Sequence, residues 1–179
     1  MLSCYGSKDR STLVGIIQSI KKEVDAIIVT PHWGDEYKTF PNRAQKQLAA
    51  EVLNAGASAV IGAHPHVLQP VEKFVTSDGR ETLISYSLGN FVSYQGSPRN
   101  RTSMILLLGL TKTAKETVVN GVRFVPIFME NRSGIDNIHI RVLTKAQLWN
   151  NFAKLFEPII PLENAIFSLP IVTDPECHH

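Results

Sequence analysis

Two short apolar runs, Ala26-Ile27-Ile28-Val29 and Ser58-Ala59-Val60-Ile61, stand on either side of a helical pattern at Arg43 to Asn54. That helix is punctuated at both ends. Asn42 with Gln45 reads as a capping box, and Gly56 supplies a left-handed stop. Continuous apolar runs of this length suit strands buried on both faces. Strand, helix and strand with short connections make a βαβ unit, whose two strands must run parallel. The turn after each strand therefore leaves the same carboxyl-terminal edge of one sheet, where open α/β sheets place ligands.

Both of those turns carry histidine. The first reads Thr30-Pro31-His32-Trp33-Gly34-Asp35-Glu36-Tyr37 and the second Gly62-Ala63-His64-Pro65-His66. Neutral imidazole is a common ligand for zinc, manganese and iron, so His32, His64 and His66 are candidate ligands. His64 and His66, two apart, can serve one ion or reach toward two, and Pro65 stiffens the backbone between them. Glu36 and Asp35 read either as carboxylates that orient an imidazole or as substrate contacts, against the plainer reading of solvated loop acids. Trp33 is expected as a packed core aromatic. Asn90, in Ser85-Tyr86-Ser87-Leu88-Gly89-Asn90-Phe91, reads as a loop anchor or a simple turn residue. His139 reads as polar surface, and the terminal His178 and His179 carry no role.

The flanking sequence predicts further elements. Leu13, Ile16, Ile17, Ile20 and Val24 form an apolar stripe at helical spacing over Asp9 to Val24. Ser77-Asp78-Gly79 signals a hairpin between Val71–Val75 and Thr82–Tyr86. Met104–Leu110 and Thr117–Phe128 read as strands. Asn137–Leu143 alternates Ile138, Ile140 and Val142 inward with His139 and Arg141 outward. Thr144 with Gln147 caps a short helix carrying Leu148, Phe152 and Leu155. From Glu157 on, repeated prolines predict a tail lying over the surface or lacking fixed structure.

A net charge of +2 and no Lys/Arg run beyond two residues argue against a nucleic-acid partner. No apolar run is long enough to span a bilayer, and the beginning lacks a signal-peptide pattern. Cys4 and Cys177, near opposite ends, make no disulfide framework; a bridge is one reading and free thiols the preferred one.

Taken in order, the motifs resemble a known family. They are His32-Trp33-Gly34-x-Glu36-Tyr37, Pro41, Gln45, Gly56-Ala57, Val60-Ile61-Gly62, His64-Pro65-His66-Val67, Gln69-Pro70, Glu72 and Tyr86 to Phe91. The chain resembles, over about Asp25 to Phe91, the bacterial capsule-synthesis (CapA-type, poly-gamma-glutamate capsule) family of the calcineurin-like metallophosphoesterase superfamily. The resemblance implies a four-layer α/β/β/α sandwich with a two-metal site at one edge. His32 and His64 would serve one metal and His66 the other, with manganese, zinc or iron as the ion and Glu36 and Asn90 in support. Metals about 3.5–4 Å apart clamp the oxygens of an in-line phosphoryl displacement.

The family's Gly-Asp motif, a further acidic ligand and its Asn-Asn-His motif have no counterpart in this sequence. The chain is therefore expected to correspond to the carboxyl-terminal half of that domain over residues 1–143, with a helix and Pro-rich tail at 144–179. A three-histidine set poor in carboxylates suits one zinc ion with an open position. A sheet lacking partner strands would expose edges, which dimerisation would cover. The implied substrate is phosphorylated or polyanionic and capsule-related, and the implied parent is membrane-anchored or exported in bacteria. Three functions stand as expectations: a metal-dependent phosphoesterase-type hydrolase, a non-catalytic scaffold in capsule synthesis, and a gamma-glutamyl peptidase.

Overall fold

A computed structural model describes residues 7–131 and 138–166. Cys4, Asn137, Pro170, Pro175, Cys177, His178 and His179 lie outside the described residues.

The βαβ unit forms as its local chemistry dictates. Helix α1 (Ser7–Ile20) leads to β1 (Ile28–Val29), α2 (Arg43–Ala55) and β2 (Ala59–Ile61). The Asn42 side chain accepts from the Gln45 amide while the Gln45 side chain accepts from the Asn42 amide, and Gly56 closes the helix at φ +137°. β1 and β2 are parallel, with Ile28 opposite Ala59 and Val29 opposite Val60. The hairpin of β3 (Leu68–Val75) and β4 (Glu81–Leu88) completes a sheet of order β1-β2-β4-β3, with β4 parallel to β2. One core cluster joins Ile17 of α1, Leu48, Val52 and Leu53 of α2, Val60 of β2, and Ile84 and Tyr86 of β4.

A second, antiparallel sheet of order β5-β6-β7 comes next, from Thr102–Lys112, Thr117–Asn131 and Ile138–Val142. Thr144 and Gln147 form the expected capping box. It opens α3 (Lys145–Gln147), which runs through a π-helical turn (Leu148–Phe152) into α4 (Ala153–Phe156). Leu148, Phe156, Ile159 and Ile160 pack with Phe124, Phe128, Met104 and Leu68 in a second cluster. This is the two-sheet α/β architecture of a metallophosphoesterase-like fold, in part. No helix among the described residues is long and apolar enough to cross a membrane.

Four expectations are corrected. β1 is an edge strand of two residues, not a strand buried on both faces, and Ile28 is 41% exposed. α1 stops at Ile20, short of Val24, and Ile16 of the predicted stripe faces out at 50% exposure. Ile140 and Val142 are not inward either: β7 is the edge of its sheet, and both are exposed. The described part of the segment after Glu157, residues 158–166, is not a loose surface tail, because Ile159 and Ile160 are buried and the Ile159 carbonyl accepts from the Val71 amide on β3 (2.7 Å).

The β3–β4 turn is tied to α2. Arg80 donates through Nη2 to the Leu53 carbonyl (2.7 Å) and through Nη1 to that of Ala57 (3.1 Å). Cations are favoured at a helix carboxyl terminus. The Thr76 hydroxyl and then the Arg80 guanidinium hold the Asp78 carboxyl down at about 2, from 3.8. Between those two values the unfolded chain binds the extra proton, so this contribution is present above pH 3.8 and is lost as pH falls toward 2. Denaturant titrations across that window should show a loss of stability in the parent chain that Asp78→Asn lacks; parallel curves would mean the turn carboxylate contributes nothing.

Candidate metal centre

The two histidine turns are stitched to each other by backbone. The Ala63 amide donates to the Pro31 carbonyl (2.9 Å) and the Trp33 amide to the Ala63 carbonyl (3.0 Å), which continues the parallel pairing as a bridge between His32 and Ala63. Further out, the Tyr37 amide donates to the Pro65 carbonyl (2.7 Å). Beneath them lies Trp33, 2% exposed, stacked on Tyr86 and donating its indole N–H to the Tyr86 carbonyl (2.9 Å). Gly62 makes room for this contact, since a Cβ there would collide with both the Tyr86 carbonyl and the Trp33 ring. Burial and then the Glu72 carboxylate push the Tyr86 phenol up to about 12, so the floor of the site is neutral.

Above this floor Glu36, His64 and His66 each offer a ligand atom within 4.8 Å of the others. His66 Nε2 stands 3.7 Å from Glu36 Oε1. The His32 ring lies against that of His64, centroids 4.5 Å apart, and the His64 and His66 rings are 5.8 Å apart. The candidates His32, His64, His66 and Glu36 thus gather at one edge, with Glu36 inside the donor group and His32 beside it. Asp35 faces elsewhere, accepting from the Asn42 amide group (2.9 Å). His139 sits on β7, in the other sheet.

Asn90 fixes His66. Its Nδ2 donates to the backbone carbonyls of His66 (3.2 Å) and Asn100 (2.9 Å), so its Oδ1 is the atom facing His66 Nδ1 at 2.7 Å. A carboxamide oxygen only accepts. The ring proton therefore belongs on Nδ1, and in the neutral imidazole the lone pair is on Nε2, the nitrogen facing Glu36. An imidazole oriented through its far nitrogen in this way is the usual condition of a metal-binding histidine. Two imidazoles, a neighbouring third and a carboxylate make a donor set that zinc, manganese or iron accepts.

Sequence reasoning missed the support of the Glu36 loop. Gln45 and Gln69 are buried, and Gln45 Nε2 donates to Gln69 Oε1 (2.8 Å) while Gln69 Nε2 donates to the Lys38 carbonyl (2.8 Å). Gln45 was legible as half of a capping box and Gln45 and Gln69 as positions of the family motif, but their contact was not. Also unread were the left-handed backbones of His64 (φ +103°), His66 (φ +60°) and Tyr37 (φ +62°). Non-glycine residues held so cost about 1–3 kcal/mol each and cluster at functional sites.

The sequence model of the family described as "Bacterial capsule synthesis protein PGA_cap" matches residues 4–95. The chain is 42% identical over 104 residues to the PGA biosynthesis protein CapA of Bacillus subtilis (strain 168), covering 58% of this chain and 26% of that protein. It is 40% identical over 86 residues to the capsule biosynthesis protein CapA of Bacillus anthracis, covering 48% of this chain and 20% of that protein. The matched part thus spans about a quarter and a fifth of those relatives.

The strain at His64 is directly measurable. With metal removed from both, His64→Gly is expected to be more stable than His64→Ala by about 1 kcal/mol, because only glycine occupies this backbone region freely. Equal melting of the two variants would mean that the backbone there is relaxed.

Proposed function

The chain belongs to the bacterial capsule synthesis family PGA_cap, and we propose that it carries the metal-binding edge of a phosphoesterase-type hydrolase. The process served is capsule or poly-gamma-glutamate synthesis, as the names of its relatives suggest. The observation that carries this reading is the Asn90–His66 contact, which turns Nε2 of His66 toward Glu36 and the neighbouring His64.

His64, His66 and Glu36 would hold a divalent ion, with the His32 ring beside that of His64. When bound, such an ion supplies Lewis-acid polarisation of a phosphoryl oxygen. The protein's own residues do the rest of the positioning. Asn90 holds the His66 ring and its tautomer. The strained backbone at His64 and His66 sets the direction of both side chains before any ligand arrives. The Gln45–Gln69–Lys38 chain keeps the Glu36 loop from drifting, and Trp33 closes the site from below. The open side faces solvent, where Glu36 and His32 are exposed, so a large substrate has access.

Two measurements test this. Elemental analysis should find metal in the purified chain and none in the His64→Ala/His66→Ala double variant, and the parent should then turn over a phosphoester rather than a gamma-glutamyl bond. Absence of metal from the parent chain would favour a non-catalytic scaffold. Separately, Asn90→Ala keeps every donor but frees the His66 ring, and should weaken metal binding about 10–100-fold; unchanged affinity would remove Asn90 from the site.

A further inference from the structure

Tyr37 follows Glu36 directly and holds a backbone conformation that an aromatic residue rarely accepts. Its φ is +62°, and its amide is clamped to the Pro65 carbonyl (2.7 Å). The clamp sets the phenol ring against His66, with centroids 6.0 Å apart and planes tilted by 30°. The residue nevertheless stays 48% exposed, so burial of the ring is not what offsets the strain. A strained residue of this kind beside a donor group points to a use for its side chain.

The orientation of the phenol group follows from a chain of amides that begins at the histidine cluster. Asn90, whose Oδ1 faces His66 Nδ1, donates through Nδ2 to the Asn100 carbonyl (2.9 Å). The Asn100 side chain donates in turn through Nδ2 to Gln95 Oε1. That contact leaves the Nε2 end of Gln95 to face Tyr37, where it donates to the phenol oxygen (3.4 Å). A carboxamide nitrogen only donates, so the phenol oxygen accepts here and its own proton stays uncommitted. Among the described residues no protein acceptor takes that proton.

We propose that Tyr37 is a substrate-binding residue, whose hydroxyl donates a hydrogen bond to an oxygen of a phosphoryl group held on the ion of the His64, His66 and Glu36 group. The inference rests on the hydrolase reading and names a ligand contact within it. Two of the three donors flank the phenol, since Glu36 precedes it in the chain and His66 lies against its ring. A donor fixed in place before negative charge arrives costs no reorganisation when it does. A hydrogen bond to an ionised acceptor is also stronger than one between neutral partners. The left-handed backbone fixes the ring, and Gln95 takes up the oxygen, which leaves the proton for the ligand.

The test is calorimetric titration of inorganic phosphate into the whole chain, loaded with whichever divalent ion elemental analysis finds it retains. Only binding that EDTA abolishes is counted. Tyr37→Phe keeps the ring against His66 and removes the hydroxyl alone. It should retain its ion and bind phosphate about tenfold more weakly or worse, as expected for a lost hydrogen bond to a charged group. Gln95→Leu removes the contact to the phenol but leaves the hydroxyl, and should lose less than Tyr37→Phe. Parent-like affinity in Tyr37→Phe, equal losses in the two variants, or loss of the ion from Tyr37→Phe would each overturn the assignment and leave the hydrolase reading in place. A parent chain that retains no ion, or retains one without binding phosphate, would overturn the hydrolase reading and the assignment together.

Discussion

The parallel pairing of β1 with β2, carried past the strand ends through the Pro31, Trp33 and Ala63 backbone, is the constraint on which the candidate site depends. It brings two turns about thirty residues apart in sequence to one edge with a fixed offset. The pairing is short: β1 has two residues and lies at the edge of its sheet. Its register is reinforced by Trp33, whose buried ring and indole N–H lock the first turn onto β4 across Gly62. Side chains on the two turns meet because the backbone beneath them has little freedom left.

Where local chemistry decides, the sequence was readable. Asn42 with Gln45, Gly56, the Ser77-Asp78-Gly79 turn and Thr144 with Gln147 each did what their side chains and backbones favour. The shared edge of His32, His64 and His66 came from connectivity, because a parallel crossover leaves no choice of side. Glu36 was legible as a nearby carboxylate, though its place within the donor group depends on the loop's path.

The features that were not readable depend on neighbours remote in sequence. Alternating or continuous apolar residues mark a strand but not its position in the sheet, so Ile28, Ile140 and Val142 were expected inside and are exposed at edges. Prolines suggested a loose tail, yet Ile159 and Ile160 fill a core that also draws on β3, β5, β6 and the helical segment at Leu148 and Phe156. The Gln45–Gln69 pair joins residues 24 apart, and no local pattern announces it. The left-handed backbone at His64 and His66 was hidden for another reason: histidine is enriched in that conformation but still adopts it only in a small minority of cases, so its presence does not announce it.

The single carboxamide of Asn90 touches both halves of this edge, the ring of His66 and the turn that bears Arg99. A change at Asn90 is therefore felt at both the His66 ring and the turn that bears Arg99, and neither can be repositioned through this residue without the other.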